Sequence, residues 1–548
     1  MGIVMERYMG HIIRSAEKRV DHFLAVQVKD QTRINFGGMK SEIFEAKPTI
    51  YVMAEAVALY SNPSSRYYHN QTLRIAMNHA LDFIGRAQRE NGSFDYPSCN
   101  FNSTPDTSFC FKRLIGGYRI LNQYEKTETE LIEKYKAILV KSLTALLEGG
   151  FHTPNHRWGI AAALMQGVGL VDDKNFQEKL IKRAELYLAE GIDGNDEGEY
   201  AERSTGGYNA VVNNAMMAMY EESKDDYYLG FVERNLKMMM YYYDPDDTIF
   251  TQNSTRQDQG KAVWPDKYFY QYLYIATKNV DPIFGRAAHK IIKDNMERGD
   301  LAPECLHIIM LHKDMENYQF TEYGFLDTYR KHFEEAGVMR VKTEKYGYSV
   351  IKGKSTFAFL KFKETPIFIK IGESYCDIRN FIPQNMEIKD KECVLSSTAK
   401  GWYYLPFEEK QETSDWWKMD HSKRNLQISS ELKVEVTIKE LENGLEFKVK
   451  SVGLDRLPLR VEICIPAGSV LDHEQFYMTA AKGEGMVLRN GYVTMHHGNQ
   501  NIKIGPGYGT HEFGGHYSGE EINEAGYTIY LNDYTPYERT FTIESINA

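Results

Sequence analysis

Apolar residues recur every three or four positions up to about residue 340, and every second position after about 345. The first pattern is clearest over Leu131–Leu147. There Ile132, Tyr135, Leu139, Leu143 and Leu146 share one helical face, and Gly149-Gly150 supply a stop. The same spacing predicts helices around 50–60, 71–89, 108–123, 156–169, 176–190, 208–222, 227–242, 265–278, 283–295 and 301–312. They fall in hairpin pairs at roughly 50-residue intervals, joined by short connections and by several longer polar ones. Such a series builds an α/α toroid, as an incomplete ring or a six-hairpin barrel, or else an α-solenoid. The long polar loops favour the toroid, because loops on one face then converge on a central cleft.

In the second pattern Val434, Val436 and Ile438 alternate with Lys433, Glu435, Thr437 and Lys439. Glu442-Asn443-Gly444 makes a hairpin turn, and Leu445, Phe447 and Val449 return. Further strands are predicted near 346–351, 355–362, 366–371, 460–465, 486–489, 491–496 and 526–531, giving an antiparallel β-sandwich. The expected domains are therefore 1–340, helical, and 341–548, β, with the switch in Gly337–Gly347. A length of 548 residues, more than one core usually supports, agrees with this division. The segment 400–425 holds three of the five tryptophans among charges and reads as either an interdomain packing segment or a substrate-facing loop.

Composition narrows the classes. At 42% hydrophobic and 26% charged, the chain is an ordered globular one. Its 38 tyrosines suit sugar faces and plain packing alike. A net charge of −11 without a Lys/Arg-rich tract argues against nucleic acid as a partner, so an anionic ligand needs a locally basic pocket. Cys99, Cys110, Cys305, Cys376, Cys393 and Cys464 are scattered without a CxxC, which points to neither a zinc site nor a disulfide framework. The first twenty residues read as an amphipathic helix rather than a signal peptide, and no run of 18 apolar residues predicts a membrane span. The cytoplasm is the default location unless a leader has been removed.

Three loops concentrate polar groups. In Asn91–Cys110, Asn102, Asp106 and Thr107 precede a helix; capping by Thr104 or Asp106 explains one of these residues but not the length of the loop. In Thr153–Trp158, Pro154 and Asn155 are helix-start signals with Asn155 as the expected N-cap, and His156, Arg157 and Trp158 fall in the first turn. A helix N-terminus there suits a carboxylate ligand. In Asn195–Tyr220, two carboxylates (Glu199, Glu202), Arg203, Gly206-Gly207 and Tyr208 open a helix whose Val211, Val212, Ala215, Met216 and Met219 are core positions. Ser204 or Thr205 is the expected cap. The plainer reading of this third loop is a solvated salt-bridge loop beside a half-buried aromatic.

Asn155-His156, followed about fifty positions on by a Gly-rich turn and Tyr208, resembles the heparinase II/III-like polysaccharide lyases and the related oligoalginate lyases. In that superfamily an α/α toroid precedes an antiparallel β domain, and the Tyr follows a turn of the form DG-x-[YF]-x-[EQ]-x-S-x-GY. This chain reads Glu197-Gly198-Glu199-Tyr200-Ala201-Glu202-Arg203-Ser204-Thr205-Gly206-Gly207-Tyr208, with one extra residue before the Tyr. Those lyases often carry a further His on the β domain; His421, His473, His496, His497, His511 and His516 do not align with it.

The resemblance implies β-elimination at a uronic acid. Asn155 and His156 would neutralise the carboxylate, and Tyr208 would take the C5 proton. A phenol of pKa about 10 needs nearby positive charge for this, from Arg203, Arg157 or Arg256. Arg157, Trp158, Glu199, Glu202, Arg203, Asn102, Asp106 and Arg256 are the expected substrate contacts. The partner would be an anionic oligosaccharide, short and cut from its end, with no nucleic acid and no membrane; a homo-oligomer stays open. No cofactor is expected, and a structural metal ion stays open. The competing chemistry is an inverting glycoside hydrolase of the uronyl hydrolase kind on the same toroid. It needs two carboxylates about 6.5–9.5 Å apart, with Asp106, Glu199 and Glu202 as candidates. A third reading is a non-catalytic carbohydrate-binding protein.

Overall fold

The helices follow the predicted spacing closely. The structure, a computed structural model, describes residues 3–39, 43–320, 326–511 and 523–546. Its main helices are α1 (Glu6–Val26), α2 (Lys47–Ser61), α3 (Gln71–Ala87), α4 (Thr104–Tyr124), α5 (Thr129–Glu148), α6 (Pro154–Gly167), α7 (Lys174–Leu188), α8 (Tyr208–Ser223), α9 (Asp226–Met239), α10 (Phe269–Lys278), α11 (Pro282–Arg298) and α12 (Leu306–Leu311). Local chemistry sets their ends. The side chains of Asn70, Ser103, Asp173, Asp225 and Asp281 each accept a backbone N–H in the first turn of the helix they precede. Gly299, at φ +77°, ends α11 in the left-handed region. Three expected caps are corrected. The N-cap of α8 is Gly207, not Ser204 or Thr205. Ser103, not Thr104 or Asp106, caps α4, and Thr153, not Asn155, is the N-cap of α6.

Successive hairpins alternate between two layers. Helices α2, α4, α6 and α8 pack side by side, and α3, α5, α7 and α9 lie outside them. Gln271 and Tyr270 of α10 hydrogen-bond to Asn213 and Asn214 of α8. The last pair closes on the first: α12 packs on α2 and α4, and α1 on α11 and α12. The helical unit is thus a toroid, and the solenoid alternative falls away.

The chain divides into Met1–Tyr243 with Thr248–Leu326 and, separately, Asp244–Asp247 with Asp327–Ala548. The break therefore comes earlier than the 340/341 expected. Tyr329–Phe333 and Val338–Lys342 are already strands of the second unit, which contains two nine-stranded sheets. In that unit the buried Arg340 donates to Asp244 at 2.9 Å and to the Tyr329 hydroxyl at 2.8 Å. The period-2 reading holds residue by residue. Val434, Val436 and Ile438 are buried, pair with Ser451, Val449 and Phe447, and face a shared core in which the Phe447 and Phe541 rings stack with centroids 5.0 Å apart. Most pairings are antiparallel; Gly485–Val487 joins Gly526–Tyr534 in parallel. The segment 400–425 begins as the end of strand Glu392–Tyr404 and continues as loop broken by single helical turns at Trp416–Lys418 and His421–Lys423, with Trp416 54% and Trp417 90% exposed. All six cysteines are free thiols.

Phe541→Ala removes a ring from this core and is expected to lower stability by about 3–5 kcal/mol. Trp417→Ala is expected to change stability by less than about 0.5 kcal/mol. Urea midpoints of the full chain test the contrast.

Candidate active site

A cavity of about 710 Å³ opens inside the helical unit, walled by α2, α4, α6 and α8. The inner helices run in the same direction, since each is separated from the next by one antiparallel outer helix. First-turn residues Asp106, His156 and Tyr208 therefore gather at one end of the cavity, and Lys112, Gln166 and Ala218 lie deeper. The inner faces of α6 and α8 offer Gly159, Ala162, Val211, Ala215 and Ala218, whose short side chains leave the space empty.

His156 is held by its own helix start. Its Nδ1 accepts the backbone N–H groups of His152 and Thr153, both at 3.3 Å, so the proton of the neutral ring belongs on Nε2. Burial, reinforced by nearby His152, Arg256 and Lys47, lowers its pKa to about 4. At neutral pH His156 is an uncharged donor whose Nε2–H is left for the cavity it lines.

Tyr208 is the first residue of α8. Its backbone N–H donates to Ser204 Oγ at 2.9 Å, and that hydroxyl donates to Asp258 at 2.8 Å. Asp258 also accepts Gly206 N–H at 2.9 Å and Ser254 Oγ at 2.6 Å. A Cβ on Gly206 would meet Asp258 Oδ2 at 2.9 Å and Thr251 Cγ2 at 3.0 Å, which accounts for a glycine in the turn. The turn 199–208 and the loop 251–261 are thereby locked together. The lock sets Arg256 over the Tyr208 ring, with the guanidinium carbon 4.2 Å from the centroid. Arg256 is itself ion-paired with Glu202. Glu202 Oε2 accepts Asn155 Nδ2 at 2.6 Å and the Asn155 backbone N–H at 3.2 Å.

Of the predicted residues, His156, Tyr208, Arg256 and Asp106 meet in the cavity wall. Asp106 is ion-paired with Lys47 at 2.5 Å and accepts Ser103 Oγ at 2.6 Å. The others are corrected. Asn155 is fully buried behind Glu202, outside the cavity wall. The α6 N-terminus expected to take a substrate carboxylate already holds that of Glu202, because a buried carboxylate seeks the nearest N–H groups and guanidinium. Glu199 is buried with Asn253 at 3.1 Å and Arg203 at 3.9 Å, and none of the three lines the cavity. Trp158 is buried and donates Nε1–H to Asp193 at 2.6 Å; Arg157 lies over its ring and pairs with Asp193 and Glu190. Asn102 accepts from Asn91 and Ser93 in its own loop. Of the β-domain histidines, His516 lies outside the described residues, and His473 stacks on Phe476 within its own unit.

Sequence reasoning missed Lys47, Lys112, Arg113 and His152 in the wall. The available signal was the spacing of Asp106, Phe109 and Arg113, one helical face carrying charge among apolar neighbours. Among the described residues no cluster of three or more His, Cys, Asp or Glu could hold a metal ion, and no helix is long and apolar enough to cross a membrane.

A toroid of helix hairpins followed in the chain by antiparallel sheets is the fold of several solved polysaccharide lyases. Solved structures bear this out. The chain is similar to a Paenibacillus xanthan lyase, with TM-score 0.58 and 10% identity over 99% of this chain and 57% of that one. It is similar to a Streptomyces coelicolor chondroitin AC lyase in complex with chondroitin sulphate, with TM-score 0.57 and 10% identity over 98% and 79%. It is similar to heparinase III, with TM-score 0.56 and 11% identity over 98% and 86%. The chain thus spans little more than half the length of the xanthan lyase, and at these identities the likeness is one of fold. No family model and no curated protein matches the sequence.

Glu202→Ala leaves the half-buried Arg256 guanidinium and the buried Asn155 amide without their acceptor and should cost about 1–3 kcal/mol in unfolding free energy, read from urea midpoints. His156 also contributes a pH dependence. Unfolded, its ring takes a proton near pH 6.5; folded, near pH 4. Between those values the unfolded chain binds more protons, so stability falls as pH drops through the window and levels off below it. His156→Asn should flatten that part of the stability profile, and the NMR titration of the His156 ring should have its midpoint near pH 4.

Proposed function

We propose that this chain is a lyase that cleaves uronate-containing oligo- or polysaccharides by β-elimination in the toroid cavity. The observation that carries the reading is the pairing of Tyr208 and His156 in one cavity wall. The Tyr208 hydroxyl makes no hydrogen bond to a described residue, its ring lies under Arg256, and the neutral His156 offers Nε2–H beside it. The uronate carboxylate would accept from His156 Nε2–H, so that negative charge building up as C5–H breaks is stabilised. Tyr208, its ring held under Arg256, would take the C5 proton as the base. The electron pair of the C5–H bond forms the C4–C5 double bond. The C4–O bond breaks, and the tyrosine proton passes to the leaving oxygen. Asn155 and Glu202 would act as positioning residues through Arg256. The names of the fold relatives, lyases of xanthan and chondroitin, support a polysaccharide as the substrate class.

The hydrolase reading lacks a pair of carboxylates. Asp106 is the only acidic side chain in the cavity wall among the described residues, and Lys47 already holds it. With uronate-containing oligosaccharides, ultraviolet absorbance from the unsaturated product should rise in step with new reducing ends. Reducing ends without absorbance would establish the hydrolase instead. Tyr208→Phe should lower kcat by about 10²–10⁴-fold with little change in KM, and an unaltered kcat would remove Tyr208 as the base.

A further inference from the structure

The cavity continues past the residues assigned to chemistry. Lys112 lies six residues beyond Asp106 on α4, about 9 Å further along the helix axis. Gln166 lies ten residues beyond His156 on α6, about 15 Å deeper. Both line the cavity, and neither makes a hydrogen bond or ion pair with a described residue. The other wall cations are engaged: Lys47 with Asp106, Arg113 with Glu304, Arg256 with Glu202. Lys112 is thus an ammonium group in a protein cavity without a counter-ion, an arrangement that costs free energy unless an anion arrives.

We propose that Lys112 and Gln166 form an inner subsite that binds an anionic group, a carboxylate or a sulfate ester, on the sugar next to the one held at His156 and Tyr208. This inference rests on the cavity being the sugar site proposed above. The separation along the helices exceeds one sugar ring, so a uronate at the reacting position cannot fill both places. Lys112 donates charge-assisted hydrogen bonds to the anion, and the Gln166 amide adds a neutral donor. The charged and titratable groups around Lys112 leave it responsive to pH. Arg113 adjoins it on α4 and is paired with Glu304, and Asp106 is spent on Lys47 of α2. His307 of α12 is held neutral by burial, Tyr270 of α10 is hydrogen-bonded to Asn214, and α6 and α8 bring only His156 and Tyr208, both at the outer end. Burial, together with Arg113, lowers the Lys112 amine to about 7. Anion binding should therefore weaken as pH rises through 7, where the ammonium loses its proton.

The test is binding, measured by calorimetry in the Tyr208→Phe background so that turnover does not interfere. The probes are three tetrasaccharides: chondroitin 6-sulfate, unsulfated chondroitin and oligoalginate. Lys112→Met should weaken the sulfated or the alginate probe by about tenfold or more, the responding probe showing which anion is used, and leave unsulfated chondroitin within about twofold. Lys112→Arg should retain the affinity and abolish its decline between pH 6 and 8. Removing an unpaired buried charge should not lower the thermal midpoint, so misfolding is separable from lost binding. Equal effects on all three probes, no effect on any, or no preference for a charged probe in the Lys112 protein would overturn the subsite. Failure of elimination itself shows separately, as an absent absorbance rise in the protein that keeps Tyr208.

Discussion

The carboxylate of Glu202 ties the site together. It joins the Asn155 amide at the start of α6, the turn before α8, and Arg256 in the loop 251–261. These are three segments far apart in sequence, each of which on its own would end in a flexible loop. A carboxylate 5% exposed is tolerated only when its oxygens are fully used, and here an amide, a backbone N–H and a guanidinium use them. The consequence for chemistry is indirect. Glu202 touches neither cavity nor substrate space, yet it fixes where the guanidinium lies over the Tyr208 ring. Asp258 repeats the device a turn away with Ser204, Gly206 and Ser254, so the tyrosine is set from both its backbone and its ring face.

This arrangement resolves a tension between the whole chain and its site. The protein carries a net charge of −11, yet the cavity wall holds Lys47, Lys112, Arg113 and Arg256 against a single carboxylate. Local sign, not net charge, governs what the cavity attracts. Burial acts on both titratable groups in the same direction, favouring the uncharged form. It leaves His156 neutral, so that it donates without adding charge, and it makes a free ammonium at Lys112 expensive. The cavity wall is therefore graded, with a neutral donor and a guanidinium near the helix starts and an amine without an ion-pair partner among the described residues further in.

The toroid was legible because its helices obey one period and carry their own start and stop signals; α5 was readable from Ile132, Tyr135 and Leu139 alone. Tyr329–Phe333, with Arg330, Lys331 and His332 at its centre, carries too little apolar alternation to be seen, and Asn385–Lys389 alternates over only five residues with just Met386 and Ile388 apolar. In the site, His156 and Tyr208 stood out because each opens a helix after a polar loop. The errors share one cause. Arg157, Trp158, Asn155 and Glu199 are polar or aromatic residues whose partners, Asp193, Glu202 and Asn253, come from elsewhere in the sequence, and a linear reading cannot tell a satisfied group from an available one. Lys112 is the converse case. A lone lysine on a helix reads as solvated, and only the packing of α4 against α2 and α6 turns it inward.

What the inner helices omit matters as much as what they carry. Ala162 of α6, and Ala215 and Ala218 of α8, occupy cavity-facing positions where larger apolar residues would pack without strain on propensity, since alanine and leucine favour helix almost equally. A leucine at those sites would bury apolar area and stabilise the unit. Gly159 is different: a Cβ there would approach Phe109 and Ser108 of the adjoining α4 to 3.2 Å, so the glycine serves close helix packing. The cavity is therefore kept at the expense of packing along α6 and α8. Filled, the toroid would still hold its hairpins together. Empty, it leaves open space beside Tyr208 and His156, the space in which the elimination proposed above would place its sugar chain.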